Sequence, residues 1–189
     1  MDKSTFNDLK VPHRSMALSA LKNITSAVKR WHLALAAIVA LFATVALATP
    51  GSGVVSATVM ARASFVDPTD IKFKIKGVGQ KVVQVNDAQE TVVQQVIIAP
   101  GGATGWHSHP GPTVVLIKSG QMSFYDSEDP TCTVRTYSAG QSFVDRGQGH
   151  AHIARNEGSV NLEIWAIYFD VPPGGAFRTD APNPGYCNF

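Results

Sequence analysis

From residue 54 onward, short apolar runs alternate with clusters of Gly, Pro, Asn and Asp, and no run carries the period of an amphipathic helix. The stretch Ile71-Lys-Phe-Lys-Ile-Lys76 alternates strictly, apolar to one side and cationic to the other, as a half-buried strand does. The same pattern predicts strands over 54–66, 71–76, 81–85, 91–99, 106–109, 113–118, 121–125, 131–137, 141–145, 151–155 and 160–169. Breakers separate them. Pro100-Gly-Gly predicts a sharp turn, Pro110-Gly-Pro112 a second break, and Ser119-Gly120 a tight hairpin between its flanking strands. The tail from Val171, rich in Pro and Gly, is expected to wrap the domain as irregular chain. Short strands in succession with no helix between them predict an all-β antiparallel sandwich or barrel.

Only residues 15–48 have sustained helical character, and they read as an address rather than as fold. Lys22, Lys29 and Arg30 precede an uncharged apolar run of 16 residues, 33–48, and small-x-small tripeptides follow at Ala46-Leu-Ala48 and Val55-Ser-Ala57. That order is the pattern of a cleaved signal peptide, and the run is short beside the roughly 20 residues of a bilayer span. The alternative is an uncleaved anchor with its positive flank in the cytoplasm. Met16 is an alternative start that gives the leader an ordinary length. The chain therefore divides into an N-terminal signal or anchor with linker, 1–57, and a β domain, 58–189, expected to be secreted or extracytoplasmic. Any membrane contact is expected only through residues 33–48, if they are retained.

Charge follows the same division. The formal net of +2 belongs to the N-terminus; from Thr58 onward ten Lys and Arg face twelve Asp and Glu, a net of −2. Such a domain offers no basic face to nucleic acid. Both cysteines, Cys132 and Cys187, fall in this part, where an oxidising compartment lets them pair as a disulfide; two free thiols are the alternative.

Of six histidines, four fall in two short strings, Trp106-His107-Ser-His109 and Gly149-His150-Ala-His152. Residues two apart on a strand share a face, so two such pairs aimed into one cavity present several imidazoles to a point, as a transition-metal site requires. The first string extends to Gly101-(x)5-His107-x-His109-(x)3-Thr113-(x)6-Gly120, which resembles cupin motif 1 with Thr113 in place of the family's glutamate. The second, Gly140-(x)8-Gly149-(x)2-His152-(x)3-Asn156, resembles cupin motif 2, with Gly147 at the proline position and one extra residue. The motifs span 101–120 and 140–156, in family order and with 19 residues between them.

This resemblance implies a single double-stranded β-helix, a cupin or jelly-roll barrel preceded by the N-terminal apolar helix. It implies His107, His109 and His152 as ligands of a divalent transition metal, with Fe, Mn, Ni, Zn and Cu all compatible with three imidazoles. Without the glutamate the ion keeps its full charge and open positions, which favours Lewis-acid chemistry or O₂. His150 shares the strand face of His152 and is a candidate fourth ligand or proton carrier behind it. Glu163, the one carboxylate of an apolar strand, is a candidate acid or base if it points inward, but an outward, solvent-facing position is expected. Gln95, Gln121 and Tyr125 are further polar candidates for the lumen, whereas Trp106 is expected to turn away from it. Three readings stay open: a dioxygenase-type oxidoreductase or isomerase acting on a small molecule, a non-catalytic metal- or ligand-binding or sensing module, and a structural barrel with a vestigial site. A homodimer is compatible with each.

Overall fold

The computed structural model describes residues 48–76 and 81–189; the predicted N-terminal helix, with its signal or anchor, lies outside them. Among the described residues every regular element is a strand, and no helix is long and apolar enough to cross a membrane. All pairings are antiparallel, and they form two faces. One runs β1 (Ser52–Ser64), β4 (Glu90–Ala103), β11 (Leu162–Val171), β6 (Thr113–Ser119), β9 (Ser142–Asp145). The other runs β12 (Thr179–Asp180), β5 (His107–Ser108), β10 (His152–Arg155), β7 (Gln121–Asp126), β8 (Arg135–Ser138). They meet where Ala103, at the end of β4, pairs with Arg155 of β10, which makes a nearly closed barrel. A separate hairpin joins β2 (Ile71–Ile75) and β3 (Lys81–Val85).

Alternation explains what each face buries. In β11 Leu162, Ile164, Ala166 and Tyr168 are buried, while Glu163, Trp165 and Ile167 are half-exposed. Ile98, Ile117, Leu162 and Ile164 of the first face pack on Met122, Phe124 and Ala154 of the second, forming the inter-face core. The neighbours of those residues, Tyr125 and Ile153, point the opposite way. There they join Trp106, Ala181 and Cys187 in a second cluster under the C-terminal tail. That tail is not wholly irregular, because β12 pairs with β5, and a disulfide links Cys187 to Cys132.

Four local expectations are corrected. Pro100-Gly101-Gly102 is a bend within β4, not a turn, and it carries the strand from one face to the other. Ser119-Gly120 is not a hairpin: β6 pairs with β11 and β9, β7 with β10 and β8, so the chain crosses between faces there. The strand expected at 131–137 begins only at Arg135, because the Asp129 carboxylate binds the amides of Thr131 and Thr133 and holds a turn. Residues 49–53, the linker that closes the expected N-terminal segment, join the barrel: β1 starts at Ser52, and Thr49 Oγ1 accepts the Trp106 amide.

Gly120 shows why the crossover takes this residue. Its φ is 76°, and a Cβ there would lie 2.7 Å from the Asn161 carbonyl oxygen. Gly120→Ala is expected to cost roughly 1–3 kcal/mol, from left-handed strain and the forced shift of backbone. Urea unfolding measures it, and a variant as stable as the parent would contradict the crossover geometry.

Candidate metal centre

The two-residue strand β5 is held between β10 and β12, and its His107 stands directly opposite His152 of β10. His109 turns to the same side two residues later. The ring centroids of His107 and His152 are 4.4 Å apart, those of His107 and His109 4.9 Å, and those of His109 and His152 5.2 Å. All three are buried, and each offers a ring nitrogen within 4.8 Å of the other two. They open on a cavity of about 50 Å³ between the faces, walled by Met122, Val115, Ile164 and Ala166 and bordered by Thr113 and Tyr168.

The orientation of two rings is fixed from behind. His107 Nδ1 donates to the Gly105 carbonyl and His109 Nδ1 to the Phe177 carbonyl, each at 2.8 Å. A carbonyl only accepts, so both rings carry their proton on Nδ1 and keep the Nε2 lone pair. Loss of hydration, then repulsion from the neighbouring imidazoles, holds His107 well below its usual range and brings His109 down to about 4. Burial also lowers His152. All three are therefore neutral at pH 7, the form that binds metal. Two buried atoms on cavity-lining residues, His152 Nδ1 and Thr113 Oγ1, have no hydrogen-bond partner among the described residues. Convergent neutral nitrogens in a cavity with unsatisfied polar atoms fit a divalent transition ion.

Thr113 lies on β6, 1% exposed, and brings no carboxylate to this point. Directly opposite it in the ladder stands Asp145 of β9. Asp145 Oδ1 lies 3.6 Å from His152 Nδ1, beyond hydrogen-bond reach, and 3.2 Å from His150 Nδ1. The other ring nitrogen of His150 lies 2.7 Å from Asp126 Oδ1. With a carboxylate on each ring nitrogen, His150 stands behind the triad, and with Asp145 and His152 it forms a second group whose ligand atoms lie within 4.8 Å of one another. Desolvation pushes its pKa down, but the two carboxylates outweigh it and raise it to about 9, so His150 is an imidazolium between two anions.

Glu163 is not at the site. It lies on the outer side of β11, where its Oε1 accepts from Gln95 Nε2 at 2.7 Å and from Trp165 Nε1 at 2.9 Å. Its neighbours Leu162 and Ile164 take the inward positions. Gln95 is thereby also outside the cavity, as are Gln121, bonded to Ser138, and Tyr125, bonded to Glu157. Trp106 turns away from the cavity, as expected, into the cluster under the tail.

Four participants lie outside the histidine strings: Asp145, Asp126, Tyr168 and the carbonyl of Phe177. The Tyr168 ring sits 4.9 Å from that of His109, its hydroxyl donates to Gln94 Oε1 at 2.9 Å, and burial raises its pKa, so it stays protonated. Asp145 and Asp126 lie at the ends of β9 and β7, where only knowledge of the ladder register brings them together.

A family model described as "Cupin domain" matches residues 94–171. Among solved structures, a double-stranded β-helix domain protein from Klebsiella pneumoniae is 22% identical with a TM-score of 0.41, covering 49% of this chain and 76% of that one. A cupin domain from Bordetella pertussis is 19% identical with a TM-score of 0.40, covering 65% of this chain and 97% of that one. An oxalate oxidase is 25% identical with a TM-score of 0.37, over 42% of this chain and 41% of that one. No curated protein sequence matches the chain.

Proposed function

Because the chain belongs to the cupin superfamily through residues 94–171, we propose that its barrel is an extracytoplasmic centre holding one divalent transition metal on His107, His109 and His152. The observation that carries this reading is the convergence of three buried imidazoles, two with their Nδ1 protons committed to backbone carbonyls. When bound, the ion supplies Lewis acidity or a one-electron couple at open coordination positions. The protein's part is to keep three rings neutral, fix two of them from behind, and surround the site with apolar walls. The finer reading is a dioxygenase-type oxidoreductase or an isomerase acting on a small molecule.

A second reading, a non-catalytic metal-binding or sensing module, draws support from the small size of the cavity beside the triad, about 50 Å³. Export is supported by the leader pattern at 22–48 and by the disulfide, which persists in oxidising compartments.

Metal analysis of the purified full chain tests the core of the proposal. About one ion per chain is expected, with His107→Ala and His109→Ala each losing 100-fold or more in affinity, of the order that loss of a direct ligand brings. Metal content indifferent to both substitutions would sink it. Oxygen uptake or turnover over a panel of small substrates then separates the enzyme from the binding module.

A further inference from the structure

A second cavity, of about 440 Å³, lies outside the histidine pocket at the seam of the barrel. Strands β8 and β9 are the outer edges of the two faces and do not pair with each other. Their side chains nevertheless meet: Tyr137 of β8 and Phe143 of β9 stack at 4.1 Å with 15° between planes. Phe124 meets Phe143 edge-on at 5.2 Å and stacks on His152 at 4.9 Å. Phe124 and Phe143 border both cavities and form the wall between them. The far side of the seam cavity is Phe73 of β2, held against the barrel by the ring of Phe169 at 5.8 Å. The neighbouring strand is tied down by Gln148 Nε2, which donates to the Gln84 carbonyl at 3.1 Å. The result is a concave site lined by four aromatic rings, on a scale that suits a small organic ligand.

Its charges are unbalanced. Lys74, Lys81, Arg135 and Arg146 line it, against the carboxylates of Asp126 and Asp145. Both carboxylates are bonded to His150, and Lys81 and Arg146 lie against Glu128. Arg135 reaches Asp126 only at 3.7 Å, and among the described residues Lys74 has no carboxylate within salt-bridge distance. Aromatic walls with surplus cations form the complement of a flat, apolar molecule bearing a negative group.

We infer that the seam cavity binds a planar aromatic carboxylate, with its ring among Phe73, Tyr137 and Phe143 and its carboxylate on Lys74 and Arg135. This site is separate from the metal centre and does not depend on it. Calorimetric titration of the full chain with trans-cinnamate, and with the neutral cinnamamide as its counterpart, tests the inference. Cinnamate is expected to bind one per chain, at least about tenfold tighter than cinnamamide, the weight of a charge-assisted hydrogen bond. The exposed double variant Lys74→Gln/Arg135→Gln should remove that advantage while leaving cinnamamide binding unchanged, which shows the cavity intact. Chelator-treated protein and His107→Ala should bind cinnamate as the parent does. Equal affinity for acid and amide, an advantage that survives Lys74→Gln/Arg135→Gln, or loss of cinnamate binding in His107→Ala would each overturn the inference.

Discussion

His150→Ala is expected to lower the unfolding free energy of the metal-free protein by about 3–5 kcal/mol at pH 6, the cost of removing one partner from a buried ion pair. The imidazole of His150 bridges Asp145 and Asp126, at 3.2 and 2.7 Å, in a region where Asp145 and His150 are both buried. Without it two carboxylates face each other with no intervening cation. The sign of the pH dependence follows from the shifts. Desolvation alone would raise both aspartates, but His152 and then His150 at Asp145, and His150 with the Glu128 amide at Asp126, bring each down to about 2. Their contribution is present above the ordinary carboxylate range near 4 and is lost as pH falls toward 2. His150 moves the other way, to about 9, so its contribution is complete below about 6.5 and is lost as pH rises through 9. Urea unfolding with chelator, from pH 5 to 9.5, should show the parent weakening over the alkaline half and His150→Ala lacking that decline. Parallel curves for the two proteins would rule out the buried bridge.

The disulfide carries the second large effect. Cys132 and Cys187 are 55 residues apart, and cross-linking a loop of that length is worth about 4 kcal/mol in the chain-entropy account. Its release should also reach the metal. The tail it anchors supplies the Phe177 carbonyl that accepts from His109, and Arg178 Nη2, which donates to the Thr104 carbonyl at 2.8 Å. Loss of a partner that orients a ligand costs about 10–100-fold in affinity. The double substitution Cys132→Ala/Cys187→Ala should therefore lower both the urea midpoint and the affinity for metal, measured by competition with a chelating dye. A less stable protein that keeps its full metal affinity would separate the tail from the site.

The parts of this site that were legible in the sequence were those encoded by local spacing. His107 and His109 share a side because extended chain alternates, and the strand limits at Lys81–Val85 follow from a period of two. What depended on pairing was hidden. Ser119-Gly120 has the composition of a hairpin turn, but the partners of β6 and β7 lie elsewhere, and only the ladders reveal a crossover. Asp145 looks like an ordinary strand-end acid until β9 is set beside β6, when it falls opposite Thr113 and behind His152. The Phe177 carbonyl carries no side-chain signature, since any residue at that position presents the same acceptor. Glu163 illustrates the converse: a carboxylate in an apolar strand attracts notice, yet one step of alternation puts it outside.

The acceptor on Phe177 follows the last of the three histidines by 25 positions. A growing chain thus possesses its whole set of donor nitrogens well before it possesses the group that aims one of them. A chain cut between residues 152 and 177 would therefore keep all three donor nitrogens and lose the carbonyl that aims His109.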